Sequence, residues 1–199
     1  MSKENDSLGL SEGLVAPANA CEAATTGANS HSRTGLKPGD GAFPIIVHCH
    51  LRWDFVWQRP QQIFSRLARH HRVLFIEDPV IAEGDARLDI SEPNPGVVRL
   101  VPVLPPAVGA SVEEQGEVVL PLIQQALRSH PLLQGHFERP VQWFYSPMTA
   151  PVYLGKFGHR GLVYDCMDEL ANFRFAPPDI TDRERFLMSR ADVVFTGGY

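Results

Sequence analysis

The sequence predicts an α/β fold, a parallel sheet flanked by helices, and two observations carry that reading. From Phe43 onward, short apolar runs rich in β-branched residues recur, of the sort that a strand buried on both faces requires. Between them lie segments whose apolar residues return at helical spacing. Strands therefore alternate with helices, and right-handed crossovers lay successive strands parallel.

Taken in order, "FPIIVHC" (residues 43–49) is the first strand. "RPQQIFSRLARHH" (59–71) follows as a helix, with Pro60 in its first turn and Ile63, Phe64, Leu67 and Ala68 on one face. "RVLFIED" (72–78) is the second strand and "VVRLVPVLP" (97–105) the third, where Pro102 predicts a short strand or a sheet edge. "SVEEQGEVVLPLIQQALRSH" (111–130) opens with Ser111 and Glu114 in capping-box spacing, and Pro121 predicts a kink or a break within it. "VQWFYS" and "GLVYDCM" supply the fourth and fifth strands. "TDRERFLMSRA" is a helix opened by a second capping box, Thr181 with Glu184, and "DVVFTGG" is the sixth strand. Ahead of all this, residues 1–41 hold mostly Ser, Gly, Ala, Asn, Thr and Glu. That text has too little apolar surface to offset its ordering entropy and reads as a disordered leader, leaving residues 42–199 as the domain.

Composition narrows the function. At 199 residues and 44% hydrophobic, the chain holds one core and not two full domains. A net charge of −5 without any Lys/Arg-rich run gives no general attraction to polyanions, so nucleic acid is not an expected partner. Three cysteines, an odd number without a CxxC pair, suit a reducing compartment and point to the cytoplasm. No apolar run approaches the roughly 20 residues of a membrane span.

In an open parallel sheet the ligand sits at the carboxyl ends of the strands, so the loops there are the place to look for chemistry. They are "HLRWDFVWQ" after the first strand, "EDP" after the second, "SPMTAP" after the fourth and "DCMDELANFR" after the fifth. Trp53 and Trp57 either cover the top of the sheet or offer aromatic faces to a sugar or base. Arg52 and Arg59 are either surface charges or forked donors that clamp a phosphate or carboxylate, and Arg59 has Asp54 as an alternative partner. Asp165, Asp168 and Glu169 crowd carboxylates at a strand end, which suits a general base or a hydroxyl orienter; Asp168 reads equally as a helix N-cap. Asp165, directly after an apolar run, is the better candidate for a cleft role. His48 and His50 share one strand face while Cys49 takes the other, and no second ligand pair has metal spacing, so no metal is expected. Without a GxGxxG, and with "TGGY" too short for a phosphate loop, no cofactor is expected either.

"RWDFVWQRPQQIFSRLA", "VYDCMDELANF" and "ADVVFTGG" resemble the amino-terminal half of bacterial glycosyltransferases of the GT-B fold, of the kind found in cell-surface polysaccharide pathways. The similarity runs from about Phe43 to Tyr199. It implies the first of two Rossmann-like domains that face a cleft, the one that mostly takes the acceptor, with the donor-binding second domain absent from the sequence. The implied reaction moves a sugar from a nucleotide sugar to a cell-surface glycan or a lipid-linked acceptor. On that resemblance Asp165 is the catalytic carboxylate, and Arg52, Trp53, Asp54, Trp57, Arg59, Asp168 and Glu169 bind substrate. The chain alone is expected to be inactive, to associate with itself or a partner subunit through its apolar last strand, and to work in the cytoplasm, in peripheral contact with the inner face of a membrane. The alternative is a non-catalytic module that binds a glycan, a nucleotide or a partner.

Overall fold

The computed structural model describes residues 41–197, which belong to one compact unit, Leu36–Tyr199. The leader expected over residues 1–41 lies, up to residue 40, outside the described residues. The element order is β1 (Ile45–Cys49), α1 (Arg59–Leu67), β2 (Val73–Glu77), β3 (Val80–Ile81), β4 (Arg87–Asn94), β5 (Val97–Leu104), α2 (Val112–Ser129), β6 (Val141–Phe144), α3 (Ala150–Tyr153), β7 (Gly161–Cys166), a 3₁₀ turn (Leu170–Asn172), α4 (Ile180–Met188) and β8 (Val193–Thr196).

The eight strands among the described residues form one sheet in the order β3-β5-β2-β1-β6-β7-β8, with β4 pairing on β5. The chain moves outward from β1 through β2 to β5, then returns to the other side of β1 as β6 and moves outward again through β7 to β8. The direction of winding therefore switches at β1 and β6, where the loops that leave the two strands diverge and open a crevice. Every pairing is parallel except β4 with β5. The predicted parallel sheet is thus present, with one antiparallel hairpin added at the edge.

Burial follows the pleat. β1 and β2 are buried along their whole length, as central strands covered on both faces must be. Alternate residues separate into two apolar clusters. Ile45, Val47, Cys49, Val73, Phe75 and Val97 face α1 and its Phe64. Ile46, Leu74, Ile76, Val98 and Leu100 face α2, α3 and α4 through Val119, Ile123, Tyr153 and Leu187. α2 and α3 approach so closely that a Cβ on Gly116 would clash with Val152 Cγ1, so a side chain there requires Val152 to move. Cys49 is 2% exposed, and burial pushes its thiol up to about 12.

Three local expectations are corrected. β5 is neither short nor at an edge: it spans eight residues, between β2 and β4. Pro102 is tolerated because it faces the break between β2 and β3; that edge of β5 is in register with Val73–Ile76 and again with Val80–Ile81, and Pro102 falls in the gap. α2 runs unbroken through Pro121, whose exposed position leaves the carbonyl of the likewise exposed Glu117 open to water. Its capping box is present: Ser111 Oγ accepts from the Glu114 N–H at 3.2 Å, and Ser111 N–H donates to Glu114 at 3.3 Å. The second box is not. α4 starts at Ile180, which places Thr181 inside the helix, and Glu184 instead accepts the Tyr164 hydroxyl at 2.5 Å.

Candidate functional site

A cavity of about 930 Å³ opens at the carboxyl edge of the sheet, on the side covered by α2, α3 and α4. Its floor is His50 and Leu51 from the end of β1, Asp78 and Pro79 from the link between β2 and β3, and Ser146 and Thr149 from the loop after β6. One wall is the first turns of α2, where Gly116 leaves the surface flat. The opposite wall is the segment after β7, with Met167, Asp168, Leu170, Phe173 and Phe175, closed by Ile180 of α4. Arg183 holds the two walls together: it donates to Glu113 of α2 at 2.7 Å, to Asp179 at 2.5 Å and to the Met148 carbonyl at 3.0 Å. Beneath the floor, a void of about 10 Å³ lies among His48, Asp78, Ser146, Thr149 and Tyr153.

Of the eight residues singled out from sequence, only Asp168 borders this cavity. Arg52 turns inward, and its guanidinium donates to Glu77 at 3.2 Å and to the carbonyls of Asp78 at 2.5 Å and Pro79 at 3.2 Å. Trp53 is 3% exposed, packs edge-on against Phe75, and donates its backbone N–H to Glu77 and its indole N–H to Asn94. Trp57 is half exposed and meets Trp53 edge to face. Asp54 pairs with Arg99 at 2.8 Å rather than with Arg59. Arg59 instead reaches the fully buried Asp165, with Nε 3.2 Å from Oδ2 and a terminal nitrogen 2.9 Å from Oδ1. Glu169 is exposed at the start of the 3₁₀ turn. The cleft role expected of Asp165 is corrected on this geometry. Its strand neighbours Tyr164 and Cys166 join the α2–α4 cluster, so alternation turns Asp165 to the α1 side, away from the cavity.

The side chains that organise the edge were not among the residues singled out from sequence. Glu77 is fully buried at the end of β2 and accepts from Trp53 N–H at 2.8 Å, from Arg99 at 2.6 and 3.2 Å and from Arg52 at 3.2 Å. Burial alone would raise its pKa, but the two guanidiniums and the amide hold the carboxyl below the usual range. Gln61 of α1, also fully buried, donates to the carbonyls of Arg52 and Trp53 at 3.0 and 3.3 Å and pins the loop from above. Asp78, one residue on, has no hydrogen bond to its side chain among the described residues, and burial pushes it up to about 6. Burial takes His48 down to about 3, and its ring stacks between Phe144 and Tyr153 at 4.3 and 4.9 Å. His50 is likewise lowered by burial, against the pull of Asp168. Among the described residues, no three His, Cys, Asp or Glu side chains are grouped to hold a metal ion. No helix among them is long and apolar enough to cross a membrane.

The fold is thus an α/β sheet protein with a cavity at the switch point of its sheet. No protein-family model matches the chain, and no curated protein matches it. Solved structures do. One is the E. coli trehalose-6-phosphate protein bound with UDP-2-fluoro glucose, 13% identical with a TM-score of 0.47, over 76% of this chain and 39% of that one. Another is an alpha,alpha-trehalose-phosphate synthase (UDP-forming) from Burkholderia xenovorans in complex with glucose-6-phosphate, 14% identical with a TM-score of 0.43, over 75% of this chain and 39% of that one. The chain thus spans about two fifths of the length of each.

Proposed function

We propose that residues 42–199 form the acceptor-side domain of a GT-B glycosyltransferase, which receives the hydroxyl-bearing acceptor while a second domain holds the nucleotide sugar. On this reading the acceptor is a cell-surface glycan or a lipid-linked sugar, and the enzyme works in the cytoplasm beside the inner face of the membrane. The observation that supports it is convergence: the loops after the first and fifth strands, "HLRWDFVWQ" and "DCMDELANFR", which overlap two of the three stretches that carry the resemblance, meet at one cavity at the switch point. Asp168 then faces the acceptor directly. Arg52, Trp53, Asp54, Arg59 and Asp165 fix the loop on which the cavity floor rests, and Trp57 and Glu169 are exposed beyond the cavity lining.

A second reading is favoured by one feature. Asp165, the carboxylate expected to do chemistry, is locked against Arg59, which suits a module that binds a glycan, a nucleotide or a partner subunit without turnover. The exposed edge strand β8, with Val193, Val194 and Phe195 about two fifths exposed, suits self-association or such a subunit. Calorimetry and a product assay separate the two. The 199-residue chain should bind a neutral sugar acceptor and bind nucleotide sugar weakly, and fusion to a nucleotide-sugar domain should produce transfer. Tight nucleotide-sugar binding by the chain itself, or a fusion that never transfers, rejects the acceptor-domain reading.

A further inference from the structure

We infer that the floor of the cavity is a hydroxyl-binding site, made by the Asp78 carboxylate and one water held by His48, and that its ligand is a neutral polyhydroxyl compound. Three observations lead there. Both ring nitrogens of His48 are buried without a hydrogen-bond partner, and a buried imidazole in that state carries a substantial penalty. The void beside the ring measures about 10 Å³, the room of a single water, and Ser146, Thr149 and Tyr153 around it supply further hydroxyl partners. Asp78 borders both the void and the large cavity, and no hydrogen bond reaches its side chain among the described residues. An ionised carboxylate only accepts, so a group placed there needs donors. The water supplies one from below, and a ligand hydroxyl supplies one from the cavity. Asp168 across the cavity adds a second carboxylate and Arg174 a guanidinium, so the lining carries charges of both signs and suits a ligand without net charge.

The groups that face Asp78 are shifted away from neutrality, and the Asp78→Asn variant separates its titration from that of His50, the lowered imidazole that also lines the floor. Glu77, its neighbour, is held ionised, and Arg52 of the β1–α1 loop carries a permanent charge close to the Asp78 carbonyl. From β1, Cys49 is pushed up to about 12, His48 is taken down to about 3, and His50 is lowered by its burial; from α3, the Tyr153 phenol is raised. Asp78 itself lies at about 6 because burial outweighs Arg52. A donor from the ligand favours the ionised carboxylate, so binding and loss of the Asp78 proton are coupled.

The inference rests on the acceptor-domain reading only for the choice of probe, methyl α-D-glucopyranoside, titrated into the chain and followed by NMR. Affinity should rise about tenfold between about pH 5 and about pH 7, because the ionised fraction of a group near 6 changes by that factor. Asp78→Asn should remove the pH dependence and weaken binding about tenfold, as a lost charged hydrogen bond does. Without any substitution, the Asp78 carboxyl carbon should titrate at lower pH when the probe saturates the chain. A high-resolution structure should show one water in the void, bonded to His48. Affinity that ignores pH, an Asp78→Asn chain that binds as wild type does, the absence of glucoside binding at every pH, or a dry void overturns the inference. Glucosamine bound more tightly than the glucoside would do so as well, since it would mark a cation site. Transfer by the fused enzyme together with unaltered binding by Asp78→Asn would defeat this inference alone. Glucoside bound through Asp78 in a fusion that never transfers would defeat the acceptor-domain reading alone.

Discussion

Glu77 and Asp78 are consecutive carboxylates at the end of β2, yet they belong to two different kinds of site. On the α1 side of the edge, Glu77 has both oxygens occupied by two guanidiniums and an amide, and its pKa is lowered. On the α2–α4 side, Asp78 is partly exposed to the cavity and has no such partners, and desolvation raises its pKa to about 6. One carboxylate is finished by the protein. The other is left for something else to finish, and that contrast separates scaffold from site better than charge or position in a loop does.

The contrast can be tested by removing its members. Glu77→Ala should have the largest effect, a loss of about 3–5 kcal/mol, because it strands Arg52 and Arg99 against a buried floor. Urea unfolding measures it, and a loss below about 1 kcal/mol would show that the lattice is no scaffold. Trp53→Ala should cost about 3 kcal/mol through its lost packing on Phe75, again by urea unfolding, with probe affinity in the folded fraction nearly unchanged. Asp78→Asn should act in the opposite direction. Its folded pKa lies above the unfolded value of about 3.9, so from there up to about 6 the folded chain keeps a proton the unfolded chain has released, and stability falls as pH rises. The asparagine should therefore stabilise the chain by up to about 2 kcal/mol at about pH 7, and the gain should vanish near pH 4, as read from melting temperatures across that range. Arg183→Ala should have the smallest effect, about 1 kcal/mol or less because its carboxylate partners are half exposed, and should loosen the cavity walls enough to weaken probe binding.

Much of the sheet was legible because β1, β2, β5, β6, β7 and β8 are apolar runs with turn text between them. β4 was not. "RLDISEPN" carries three charged residues and a proline, since it lies at an edge where only Leu88 and Ile90 touch the core. β3 has two residues and no periodicity to read. The position of the cavity was legible too, from the rule that the loops at the carboxyl ends of a parallel sheet frame a crevice. What could not be read was the direction of each side chain. Arg52 looks the same in sequence whether it faces a ligand or the Asp78 carbonyl, and its true partners, Glu77 and Asp78, are supplied by a different strand. "EDP" was noticed as loop text, and the opposite fates of its two carboxylates depend on Arg99, Trp53 and His48, which pack around it only in the folded chain.

Cys49 gives the molecule a built-in reporter of its own opening. The thiol lies in the most central strand, is sealed beneath α1, and is so hard to ionise that an alkylating reagent finds almost no thiolate in the closed state. With Cys21 and Cys166 replaced by serine, each labelling event records an excursion in which β1 has parted from its neighbours. The labelling rate under native conditions then reads out the opening frequency of the strand that carries His48 at its buried face and leads into His50, without denaturant and without knowledge of any ligand.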